Sequence, residues 1–258
     1  MPISAEVFYT RSSGGVPQPG HPPLLLIHGA GGSHLHWPAE LRRMPGEVAY
    51  AVDLPGHGRS LGKSSNTIQE YVRSLVKWMT AVGLDSAIVV GHSMGGAISL
   101  TMALTHPERV AAMVLIGTGA RLRVNPVILE LTSDEERFHE AVELMAAWTY
   151  SEEVDAELVQ IARAQMAQVP TDVMHNDFLA CDSFDVMDQL GRIGQPTLII
   201  CGSEDLMTPV KYSRYLEEHI PDARFYEINS TGHMVMLEQP VAVAERVRDF
   251  VQERFSGD

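Results

Sequence analysis

The stretch "IVVGHSMGGAISL", residues 88–100, leaves the chain few options. Its first three residues are apolar and β-branched, the composition of a buried strand, and its last four can run on as a helix. A strand that passes directly into a helix must turn at a single corner residue, whose backbone is strained. Side chains beside that corner would collide, which accounts for glycines at 91, 95 and 96. The corner itself falls on Ser93, so its hydroxyl is expected to project from the end of the sheet. In a Gly-x-Ser-x-Gly turn of this kind the serine is a nucleophile, and the N–H groups behind it, at a helix start, face developing negative charge.

The rest of the chain alternates in the same way. Short apolar runs at 22–29, 48–56, 87–93, 111–119, 197–202 and 223–229 read as strands. Helical spacing follows at 67–83, from about 94, at 209–220 and at 240–255, while 33–44 reads as a loop and a short helix. Alternation with continuous apolar strands implies an α/β fold: a mostly parallel central sheet with helices on both faces. Between Arg121 and about Gly194 no strand is evident, only helical patterning rich in Ala, Glu, Met and Gln. The expected organisation is therefore a core of residues 1–119 and 195–258 with a helical cap, or lid, inserted at 120–194. The insert leaves and rejoins at strand ends, where ligands of open α/β sheets bind.

A serine hydroxyl needs a base and an orienting acid. His233 follows the strand at 223–229 and Asp205 follows the strand at 197–202, giving the order Ser93…Asp205…His233 expected of this class. Glu204 is the rival acid, and Asp205 could instead cap the helix near Pro209. The glycine-rich loop His28-Gly29-Ala30-Gly31-Gly32 supplies backbone donors, so the oxyanion hole is assigned to the N–H groups of Ala30 and Met94.

Other chemistries find less support. The formal net charge is -14, and no Lys/Arg cluster suits nucleic acid or an anionic membrane. The N-terminus lacks the signature of a signal peptide and no run approaches the roughly 20 apolar residues of a membrane span, so a soluble cytoplasmic protein is expected, as monomer or homodimer. Cys181 and Cys201 form no metal or disulfide pattern. His34-Leu35-His36 has no third acidic ligand nearby; a P-loop and a dinucleotide fingerprint both fail on spacing. No metal and no cofactor are expected.

Taken together, "LLLIHGAGG", "DLPGHGRS", "VVGHSMGGA", "HPERVAAMVLIGTG", "PTLIICGSEDLMTP" and "STGHMVMLEQP" make the chain resemble the α/β-hydrolase fold superfamily, in its esterase and lipase-like branch with a helical cap. The resemblance spans nearly the whole length and implies a carboxylesterase-type serine hydrolase acting through an acyl-enzyme. It also implies that His57, in "DLPGHGRS", is structural. A serine at the elbow argues against dehalogenases and epoxide hydrolases of this fold, which use aspartate. Carbon–carbon bond hydrolases of ring-cleavage products typically carry a Trp soon after the catalytic histidine, and "GHMVMLE" has none. Lactonases, perhydrolase and haloperoxidase-like enzymes, and non-turnover small-molecule receptors share the triad and stay open. The expected partner is a small, mostly neutral ester, held by Trp148, Phe178, Phe184 and Met234.

Overall fold

A computed structural model of the chain describes residues 3–12 and 21–255. The central sheet has eight strands: β1 (Ile3–Ser4), β2 (Val7–Arg11), β3 (Leu24–Ile27), β4 (Ala49–Val52), β5 (Ala87–His92), β6 (Val110–Ile116), β7 (Thr197–Gly202) and β8 (Ala223–Ile228). Their spatial order is β1-β2-β4-β3-β5-β6-β7-β8. Pairing is antiparallel from β1 to β2 and from β2 to β4, and parallel everywhere from β4 to β8. The two antiparallel strands were not expected from sequence. Val7–Arg11 carries only two buried residues, and an edge strand so lightly buried leaves no apolar run to read.

Ten α-helices are present among the described residues: α1 (Ala39–Arg42), α2 (Ile68–Ala81), α3 (Met94–Thr105), α4 (Pro126–Thr132), α5 (Phe138–Thr149), α6 (Ala156–Met166), α7 (Thr171–Ser183), α8 (Val210–His219), α9 (Val235–Glu238) and α10 (Pro240–Phe255). Strand side chains alternate between the faces. Leu25 and Ile27 of β3 pack with Leu75 and Trp78 of α2, Ile98 of α3 and Leu216 of α8. Leu24 and Leu26 pack on the other side, with Leu41 of α1 and Val247 and Phe250 of α10. This two-sided burial is why the inner parallel strands β3 and β5 to β7 read as nearly unbroken apolar runs, whereas the edge strand β8 buries none of its residues.

Between β6 and β7 the chain forms α4 to α7 and a short 3-10 helix, and the one β-bridge there among the described residues, Arg121 to Asp185, links the two ends of the insert to each other. These helices have an apolar cluster of their own, built on Ile128, Leu131, Phe138, Val142, Met145, Met174 and Phe178. They are unequally anchored. α7 buries Val173, Met174, Asp177, Phe178, Ala180 and Cys181, whereas α6 buries none of its residues. Among the described residues no helix is long and apolar enough to cross a membrane.

Candidate active site

β5 ends at His92 and α3 begins at Met94, so one residue makes the corner. That residue is Ser93, at φ 53° and ψ -115°, a region L-residues rarely occupy. The close approach that demands glycine is visible: a Cβ on Gly91 would meet the carbonyl of Gly95, and one on Gly95 would meet the backbone of Ile27 at the end of β3. Those contacts are with main chain, which cannot step aside, so both positions need glycine.

Asp205 lies in the loop after β7 and His233 in the loop after β8. Asp205 Oδ2 accepts from His233 Nδ1 at 2.9 Å, and both residues are buried. Asp205 is held by further donors: Met207 N and Thr208 N on Oδ1, at 2.9 and 2.7 Å, and Thr208 Oγ1 on Oδ2 at 2.8 Å. The carboxylate thus orders its own turn and the imidazole together. Burial opposes its ionisation, but attraction to His233 and the bonds from His233 and Thr208 outweigh that, leaving it below the usual carboxylate range. With Nδ1–H directed at Asp205, the unprotonated nitrogen of a neutral His233 is Nε2. His233 and Ser93 line the same cavity. Glu204 is exposed and does not join this pair.

The N–H groups of Ala30 and Met94 have no acceptor among the described residues. Ala30 follows β3 and lines the cavities at Ser93, while Met94 opens α3. His92 packs against His233 with ring centroids 4.7 Å apart, and its Nε2–H donates to the His233 carbonyl at 3.1 Å. Burial and the neighbouring His233 hold its pKa well below the ordinary histidine value, so it is a neutral prop. The motif His34-Leu35-His36 is split: His34 Nδ1 bonds Asp53 at 2.8 Å, while His36 lines the cavity. Burial, then repulsion by His57, lowers the His36 pKa to about 4.

Two cavities meet at Ser93. The smaller, about 120 Å³, is lined by His233, His92 and His36 and covered by Leu158, Ile161 and Met166 of α6. The larger, about 690 Å³, is lined by Leu122, Val124, Trp148 and Leu206 among others. Ala30, Ser93, Phe178 and Met207 face both. Of the expected pocket residues, Phe178, Trp148 and Met234 line these spaces. Phe184 does not. It is 3% exposed and packs in the α2–α3 face of the sheet core, because the end of α7 turns back onto the sheet there.

The most consequential residue missed in the sequence is Asp177, on α7. Fully buried, it accepts from three core segments: Gly31 N at 2.8 Å and His57 Nε2 at 2.7 Å on Oδ2, and Tyr71 O–H at 2.5 Å on Oδ1. Gly31 belongs to the loop that carries Ala30. Both His57 ring nitrogens face acceptors, since Nδ1 lies 3.0 Å from the Pro55 carbonyl. A ring that donates twice is an imidazolium. Burial alone would lower its pKa, but the charge and hydrogen bond of Asp177 raise it above the ordinary value. The signal was a lone acid on a helix's apolar stripe, four residues from both Val173 and Cys181. The insert is also tied at α5, where the Thr149 carbonyl accepts from His233 N at 2.7 Å. It is therefore held at more places than its two chain crossings.

Comparison with known proteins agrees with this architecture. The sequence profile of the alpha/beta hydrolase family matches residues 24–246. The chain belongs to the alpha/beta hydrolase family. The structure of a thermophilic esterase superposes on this hydrolase with a TM-score of 0.83 at 34% identity, covering 96% of this chain and 94% of that one. The enol-lactonase of Burkholderia xenovorans LB400 shares the fold, with a TM-score of 0.84 at 22% identity and coverage of 95% and 96%. A Pseudomonas savastanoi protein provisionally named carbamate hydrolase RutD is 28% identical over 244 residues, 89% of this chain and 93% of that one. Among the described residues of the hydrolase, no three His, Cys, Asp or Glu side chains gather as a metal site.

Proposed function

We propose that this alpha/beta hydrolase is a serine carboxylesterase acting on small-to-medium, mostly neutral esters. The observation that carries the reading is the buried Asp205–His233 pair beside a serine at a strained strand-to-helix corner. Ser93 attacks the ester carbonyl while His233 Nε2 takes the hydroxyl proton. Asp205 keeps the ring in the tautomer that can do so and stabilises the imidazolium that forms. The Ala30 and Met94 N–H groups, free of other acceptors, receive the oxyanion. His233 then protonates the departing alkoxide, and water repeats the sequence on the acyl-enzyme. The helical insert acts as a cap that closes the site over Ser93.

Ser93→Ala should abolish turnover of p-nitrophenyl esters while leaving the circular dichroism spectrum and melting temperature unchanged, and a serine-directed phosphonate should label Ser93 in mass spectrometry. Full activity in Ser93→Ala would end the proposal. Carbamates and lactones belong in the same assay, since relatives carry those names and attack on the carbonyl is common to all three.

A further inference from the structure

The two cavities at Ser93 differ about sixfold in volume, and only the smaller is lined by His233. That asymmetry has a chemical meaning. In ester cleavage the leaving oxygen must receive its proton from the imidazole, so the alcohol half of the substrate has to lie on the histidine side of the serine. The acyl half, covalently held by Ser93 after the first step, then occupies the other side. From this geometry we infer that the larger cavity is the acyl subsite and the smaller one the leaving-group subsite, so that the preferred substrates are esters of an extended or bulky apolar acid with a small alcohol.

The linings are compatible with that division, which rests on size and on the place of His233. Leu122, Val124, Ile128, Trp148 and Leu206 give the larger cavity an apolar wall suited to a hydrocarbon chain. The smaller one has the neutral imidazoles of His36 and His92 on one side but is otherwise apolar too, with Leu35, Met145 and Leu158 in its wall, so its size and the place of His233, not its polarity, favour a short uncharged alcohol there. Phe178 and Met207, facing both spaces, form the partition at the scissile bond.

The inference rests on the serine hydrolase reading, and the test separates the two. Initial rates are measured by pH-stat for two series: methyl esters of straight-chain acids from acetate to octanoate, and acetates of straight-chain alcohols from methanol to octanol. Phosphonate labelling of Ser93 is run on the same preparation. Each acyl methylene buried should raise kcat/KM about fourfold until the cavity is full, about 250-fold over the first four, while lengthening the alcohol should leave kcat/KM flat or lower it. Leu206→Trp, at an exposed position on the larger cavity, should shorten the acyl optimum without changing the alcohol profile. Ile161→Trp, at an exposed position over the smaller cavity, should do the reverse. Ser93 labelled together with a rising alcohol series and a flat acyl series would overturn the assignment and leave the hydrolase reading intact. No turnover in either series with Ser93 unlabelled would overturn the hydrolase reading and the assignment with it.

Discussion

Replacing Asp177 tests the link between the inserted helices and the loop that carries Ala30. In Asp177→Ala the buried His57 imidazolium loses its counter-charge, and Gly31 N–H and Tyr71 O–H lose their acceptor. Breaking a buried pair from one side costs about 3–5 kcal/mol. Each orphaned donor adds about 1–3 kcal/mol, though the terms overlap because His57 can shed its proton and water can enter the space. A total near 5 kcal/mol follows, which at about 2–4 °C per kcal/mol for a domain of this size is a fall of about 10–20 °C in Tm. Asp177→Asn is the informative control. Its amide nitrogen, in place of Oδ2, can donate to a neutral His57 that keeps Nδ1–H on the Pro55 carbonyl, and its oxygen, in place of Oδ1, still accepts from Tyr71, so only Gly31 N–H loses its acceptor. Its cost should be about 1–2 kcal/mol. The assay is urea unfolding of both variants at pH 7, with ester kcat followed alongside. Release of Gly31 should lower kcat more than it raises KM, since on the proposed reading the affected donor, Ala30 N–H, would serve the transition state. An alanine variant within about 1 kcal/mol of wild type, or an asparagine variant as damaged as the alanine one, would refute the reasoning.

Three further outcomes are expected. Asp205→Asn should reduce kcat by about four orders of magnitude, as loss of the orienting carboxylate does in other serine triads, while Glu204→Gln, at an exposed position, should leave the rate within twofold; steady-state kinetics on one ester decides between them. The raised His57 pKa stabilises the fold fully below the unfolded-state value of about 6.5 and progressively less as pH climbs through the folded-state value. The urea-midpoint gap between wild type and His57→Gln should therefore shrink from pH 6 to pH 9, and a widening gap would contradict the imidazolium assignment. Phe184→Ala should cost about 3–5 kcal/mol without altering acyl-chain preference, because Phe184 packs in the sheet core, whereas Trp148→Ala should alter the preference with less loss of stability; reversal of the two profiles would put the cavity elsewhere.

What the sequence disclosed and what it withheld follow from how local each constraint is. The corner at Ser93 was legible because its glycines and serine stand together in one short contiguous motif, even though only Gly91 answers to neighbours a few residues away, Gly95 facing Ile27 and His28 and Gly96 facing Thr118. Asp205 was legible because it follows a wholly buried apolar strand, and His233 because it follows the next strand of the alternation, although that edge strand, β8, buries none of its residues. The direction of a side chain on an inserted helix has no such local mark: Phe178 and Phe184 are six residues apart on the same stretch, yet one lines both cavities and the other is part of the sheet core. Asp177 meets partners 146, 120 and 106 residues away, so only its place on an apolar stripe set it apart.

The weakest-buried helix of the insert, α6, also bears none of the hydrogen bonds that fasten the insert to the sheet-bearing part. Those fastenings sit on α5, on Ser151 just after it, and on α7, and they hold the very groups the proposed chemistry would use: the backbone of His233 and the loop of Ala30. Traffic and alignment are thereby assigned to different pieces of the chain. Swinging residues 156–166 aside would unroof the histidine side of Ser93 and let a small alcohol leave, with Thr149 still gripping His233 and Asp177 still gripping Gly31. A cap built so that every helix shared the fastening would have to loosen its own catalytic residues each time a product escaped. On the proposed reading, the doorway would work at each turnover while the frame around it stayed shut.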